Sequence, residues 1–94
     1  MNDIQSEIEC IITGRVQMVM FRDFTCRQGR KLGISGIVQN LPNGSVRVIA
    51  QGQREKLMEF SAVLEKGPLL ANVQKVQITW REPNTAFDGF TIVY

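Results

Sequence analysis

Five basic residues (Arg15, Arg22, Arg27, Arg30 and Lys31) stand between positions 15 and 31 against a single acid, Asp23. Through them runs Gly14-Arg15-Val16-Gln17-Met18-Val19-Met20-Phe21-Arg22, a connection that leads from a strand-like segment to the start of a helix-like one. Backbone N–H groups at a helix start have no intrahelical partner, and the helix dipole there favours a negative guest, so such a turn can cradle an anion. Arg22 falls in the first helical turn, where a cation is disfavoured by a few tenths of a kcal/mol. A bound anion would reverse that sign. Two readings are open on these residues alone: an anion site with Arg22 as its charged ligand, or a plain chain reversal with Arg22 in water.

Other chemistry is restricted by what the chain lacks. There is no histidine, which removes the usual general base, the Ser-His and Cys-His nucleophile pairs and the commonest zinc ligand. The three Asp and six Glu are scattered, with no paired-carboxylate cluster of the kind that holds Mg²⁺ or performs acid–base work. Cys10 and Cys26 form neither a C-x-x-C pair nor a metal set, and are expected to be buried, reduced thiols. No cofactor or metal is expected. The acidic start of the chain and the absence of a long apolar run argue against a signal peptide or a membrane span, which makes cytoplasmic residence the default.

Ninety-four residues with a net charge of +2 suit one domain, expected over residues 7–94 after an N-terminal extension, residues 1–6, that is expected to be flexible. Ile8, Cys10 and Ile12 alternate in a first strand over Glu7 to Thr13. A helix follows from about Arg22 to Lys31, with Gly33 as its C-terminal cap. Gly36 to Leu41 and Ser45 to Ala50 are rich in β-branched residues, and Pro42-Asn43-Gly44 joins them as a hairpin. Gln53 to Lys66 carries Leu57, Phe60, Ser61 and Leu64 at helical spacing and breaks at Gly67-Pro68. Alternation resumes at Val76, Ile78 and Trp80, and again at Phe90, Ile92 and Tyr94. This order predicts an α+β, ferredoxin-like βαββαβ sandwich: an antiparallel sheet, two helices on one face and a short C-terminal strand.

With the elements in place, Gly14-Arg15-Val16-Gln17-x-Val19-x-Phe21-Arg22, then Gly33-x-x-Gly36-x-Val38-x-Asn40 and a turn ending in Gly44, resembles the acylphosphatase family from about Glu7 to Tyr94. The resemblance implies a metal-free enzyme that hydrolyses acyl phosphates to a carboxylate and inorganic phosphate. It assigns phosphate binding to the backbone of Arg15, Val16, Gln17, Met18, Val19, Met20 and Phe21 and to the Arg22 guanidinium, and water positioning to the Asn40 side chain. Met18 departs from the family pattern by standing where Gly is usual. A side chain there costs about 1–2 kcal/mol if that backbone needs a positive φ. Ile37, Gly29 and Asn43 also depart, replacing a common aromatic, a usual Ala and a usual Asp, with Gly29 expected to cost about 0.5–1 kcal/mol against Ala in a helix.

The implied chemistry agrees with the missing histidine. A carboxylate whose conjugate acid has a pKa of about 4 leaves without a general acid. Phosphoryl transfer relies on positioning and charge stabilisation, which a guanidinium and a set of N–H donors supply. Asn40 would orient the water while a phosphate oxygen takes its proton. A different class keeps the loop and Arg22 but omits turnover: a catalytically impaired domain that binds a small phosphate-type anion for regulation. An RNA-binding module on this frame would need aromatics on the outer face of the two central strands, and Glu9 to Ile12 and Val46 to Ile49 have none. The expected partners are therefore an acyl phosphate, with inorganic phosphate or sulfate as product-like ligands, and neither nucleic acid nor membrane. Nothing in the sequence demands more than a monomer.

Overall fold

Alternation of Ile8, Cys10 and Ile12 buries one face of the first strand completely. The computed structural model describes residues 5–94. Its elements run β1 (Ser6–Arg15), α1 (Phe21–Lys31), β2 (Ser35–Asn40), β3 (Val46–Gly52), α2 (Arg54–Lys66), β4 (Asn72–Arg81) and β5 (Phe90–Val93). They form one five-stranded sheet of order β4-β1-β3-β2-β5, so β1 and β3, separated in the chain by α1 and β2, lie side by side in its interior. The extension expected over residues 1–6 lies, for its first four residues, outside the described part of the chain.

Four strands pair antiparallel as the sequence predicts, with Cys10 opposite both Val48 of β3 and Ile78 of β4, and Val38 of β2 opposite Val48. The fifth is different. β5 joins β2 in parallel, Val38 beside Ile92 and Gln39 beside Val93, so the sheet is mixed. Both helices cover the face carrying Ile8, Cys10 and Ile12: Leu57, Phe60 and Leu64 of α2 and Phe21, Thr25 and Cys26 of α1 close the core with Val38, Val46, Val48 and Phe90. No helix among the described residues is long and apolar enough to cross a membrane.

Gly29 has a packing reason for its place in α1. The Phe90 ring lies where its Cβ would be, and that ring in turn packs on Phe60 at 5.6 Å between centroids. An alanine would have the better helix propensity but no room. After α1, Gly33 takes φ 72, and its N–H donates to the Arg30 carbonyl, the left-handed ending the sequence anticipates. In the hairpin, Asn43 Oδ1 accepts from the Ser45 N–H at 3.0 Å and the Ser45 hydroxyl at 2.6 Å, so its amide oxygen serves the turn as a carboxylate would.

The face of the sheet away from the helices is held by charge rather than by aromatics. Arg47 Nε donates to Glu9 at 2.6 Å across β3 and β1. Glu7, 2% exposed, pairs with Arg81 and accepts from Gln51 at 2.7 Å. Gln51 also donates to the Thr85 carbonyl and accepts from the Phe87 N–H, which fastens the connection between β4 and β5 over this end of the sheet. Ile37, in the position where the family pattern favours an aromatic, faces Ile49 across the strand pair.

Candidate active site

Past Thr13 the register of β1 with β4 shifts by a bulge, and the chain leaves the sheet after Arg15. Residues 16–20 then fold back along the core. Val16 and Val19 are buried, while Met18 and Met20 point outward, 100% and 69% exposed. That in-and-out alternation within so short a loop requires left-handed backbone: Met18 has φ 61 and Met20 φ 63. The condition set for Met18, a backbone of positive φ, therefore holds, and a second such residue is Met20, the N-cap of α1. Met20 offers no side-chain cap to the helix, although its carbonyl accepts from the Phe24 N–H at 3.1 Å.

The consequence is a run of unused donors. Among the described residues, the backbone N–H groups of residues 17–23 donate to no acceptor. These amides lie at a helix N-terminus, where the dipole favours negative charge. Gln17 fixes where this loop sits. Its side-chain amide donates to the carbonyls of Leu41 and Ser45, both at 2.8 Å, tying the loop to the hairpin that begins just after Asn40.

Asn40 closes β2 with its Oδ1 buried and without a hydrogen-bond partner among the described residues. A buried acceptor left open costs about 1–3 kcal/mol unless something fills it, so this oxygen points to a guest. A cavity of about 140 Å³ joins it to the loop and to Arg22, with Val16, Met18, Met20 and Phe21 along one side and Asp23 and Ile92 completing the wall. Of the residues expected at the site, Arg22, Asn40, Val16, Met18, Met20 and Phe21 thus border one space. Gln17 and Val19 do not border it: one braces the loop and the other packs in the core. Arg15 is still within β1, paired with Asn72, and its side chain is exposed.

Tyr94, Asp23 and Arg27, grouped around Arg22, are not marked for the site by the sequence pattern. The Arg22 guanidinium lies over the Tyr94 ring, 5.2 Å from its centroid, a cation–π contact that holds the cation beside the pocket. Tyr94 follows Val93, whose partner in the parallel pair is Gln39, so the mixed register is what carries the ring to the Asn40 end of the sheet. Asp23 sits next to Arg22, and Arg27 one turn on binds its carboxylate at 3.0 Å, which offsets a negative charge that would oppose an anionic guest. Among the described residues no group of three His, Cys, Asp or Glu side chains is placed to hold a metal ion.

The family model for acylphosphatase matches residues 8–92 of the sequence. The chain belongs to the acylphosphatase family. It is 42% identical over 88 residues to an acylphosphatase of Dehalococcoides mccartyi, an alignment covering 93% of this chain and 97% of that one. An acylphosphatase of Thermus thermophilus is 43% identical over 82 residues, covering 87% and 92% of the two chains. Among solved structures, the acylphosphatase from Bacillus subtilis superposes with a TM-score of 0.92 at 29% identity, covering 95% of this chain and 99% of that one. The acylphosphatase fold thus spans nearly the whole molecule, and the cavity between the Arg15–Arg22 loop and Asn40 lies inside the matched region.

Proposed function

We propose that the chain hydrolyses acyl phosphates, R–CO–O–PO₃²⁻, without a metal. The observation that carries this reading is the single cavity in which the loop, the Arg22 guanidinium and the unpartnered Asn40 Oδ1 meet. The phosphoryl oxygens take the free loop N–H donors that border the cavity and Arg22, whose planar guanidinium offers a bidentate pair and a charge that grows in value as negative charge spreads over the phosphoryl oxygens. Asn40 Oδ1 accepts from a water and holds it in line with the leaving oxygen. The water's oxygen bonds to phosphorus while the P–O bond to the acyl group breaks, its electron pair leaving with the carboxylate. One water proton passes to a phosphoryl oxygen, giving RCOO⁻ and H₂PO₄⁻.

Weak basicity of the leaving carboxylate makes a general acid unnecessary, which suits a chain without histidine. The buried free thiols of Cys10 and Cys26 suit a reducing cytoplasm. The left-handed backbone at Met18 and Met20 is the observation that favours the alternative, a domain that binds the anion without turnover.

Two substitutions separate binding from turnover. Arg22→Ala is expected to abolish both the rise in melting temperature given by inorganic phosphate and the release of phosphate from benzoyl phosphate. Asn40→Ala is expected to keep phosphate protection while kcat falls by about 100-fold or more, the loss typical of removing one positioned polar group. Full activity in either variant refutes its assigned role. Phosphate protection in a wild-type protein that turns nothing over establishes the binder instead.

A further inference from the structure

We infer that Met18 and Met20 form the acyl-group subsite of the cavity and select acyl phosphates whose acyl group is uncharged and apolar. This rests on the acyl phosphate hydrolysis proposed above. Both methionines are held in backbone that an L side chain adopts at a cost, and neither recovers it by packing, since Met18 is fully exposed and Met20 largely so. Val16 and Val19 already fill the core beneath the loop. Both residues instead border the space that Arg22 and Asn40 share, and Ile92 adds an apolar wall.

A substrate with its phosphoryl group on the amides and Arg22 must send its acyl group toward the mouth of the cavity. Two unbranched apolar chains meet it there, and they offer nothing to replace the water around a hydroxyl or a carboxylate. Asp23, also at the cavity, adds a charge that disfavours an anionic acyl group even while Arg27 partly offsets it. Methionine adapts its shape, so this subsite discriminates by polarity more than by outline.

The test compares kcat/KM for benzoyl phosphate and acetyl phosphate in the wild-type protein and in a variant carrying both Met18→Gln and Met20→Gln. Glutamine keeps the chain length and the backbone geometry while removing the apolar character, and any effect on the shared phosphoryl step cancels in the ratio of the two substrates. The benzoyl-to-acetyl ratio is expected to fall about tenfold in the variant, the scale of discrimination that a small apolar contact supplies. A ratio within about twofold of wild type overturns the subsite, and hydrolysis of both substrates by the wild type then leaves the hydrolase reading standing. A wild type that releases phosphate from neither overturns that reading, and this inference with it.

Discussion

Arg22 is a cation at the wrong end of a helix, and Asn40 carries a buried acceptor that no donor among the described residues reaches. Each costs stability by itself, and one phosphoryl group with its attacking water would satisfy both. Met18 belongs to the same pattern, because its φ of 61 is a strain that packing does not repay. Met18→Gly is therefore expected to stabilise the fold by about 1 kcal/mol, raising the melting temperature by roughly 4–8 °C in calorimetry. An unchanged or lowered melting temperature would show that the loop is not strained there. Arg22 stood out in the sequence as a cation placed at a helix start, whereas Asn40 and Met18 were singled out only through the family motif. Tyr94 was not, since an aromatic at the end of an alternating strand is ordinary until the register brings it under a guanidinium.

The elements themselves were read from periodicity, which fixes type far better than partnership. Alternation at Phe90 and Ile92 identifies a strand but carries nothing about direction, and the parallel pairing of β5 with β2 depends on the whole connection from β4. Gly29 shows the same limit. Local propensity marks it as a helix defect, whereas its cause is Phe90, distant in sequence and packed against the bare Cα. Gly29→Ala is thus expected to lower stability by about 1–3 kcal/mol despite the gain in propensity, measured by urea denaturation. A rise of about 0.5–1 kcal/mol, the propensity gain alone, would mean that the ring moves aside freely.

Across the molecule, five strands and two helices bring the 16–20 loop, the end of β2 and Tyr94 together, while ion pairs secure the sheet face away from the helices. The core so formed holds Cys10 away from water, and burial, aided by the nearby Glu9 charge, pushes its thiol up from 9.0 to about 12. Between those values the unfolded chain releases the proton that the folded chain keeps, so unfolding is favoured as pH rises. Stability is expected to be fully present below pH 9 and to fall above it, by at most about 1.4 kcal/mol per pH unit from this group. Denaturation midpoints followed with pH should show a shallower alkaline decline in Cys10→Ala than in wild type, and equal slopes would exclude the thiol as the cause.

The loop, Arg22 and Asn40 are proposed to transfer a phosphoryl group to water with their own atoms alone, and this is tested most directly by hydrolysis of benzoyl phosphate in ¹⁸O-water containing excess chelator. Sustained turnover with the label appearing in phosphate is the expected result. Loss of turnover on chelation, or label appearing in benzoate, would contradict it.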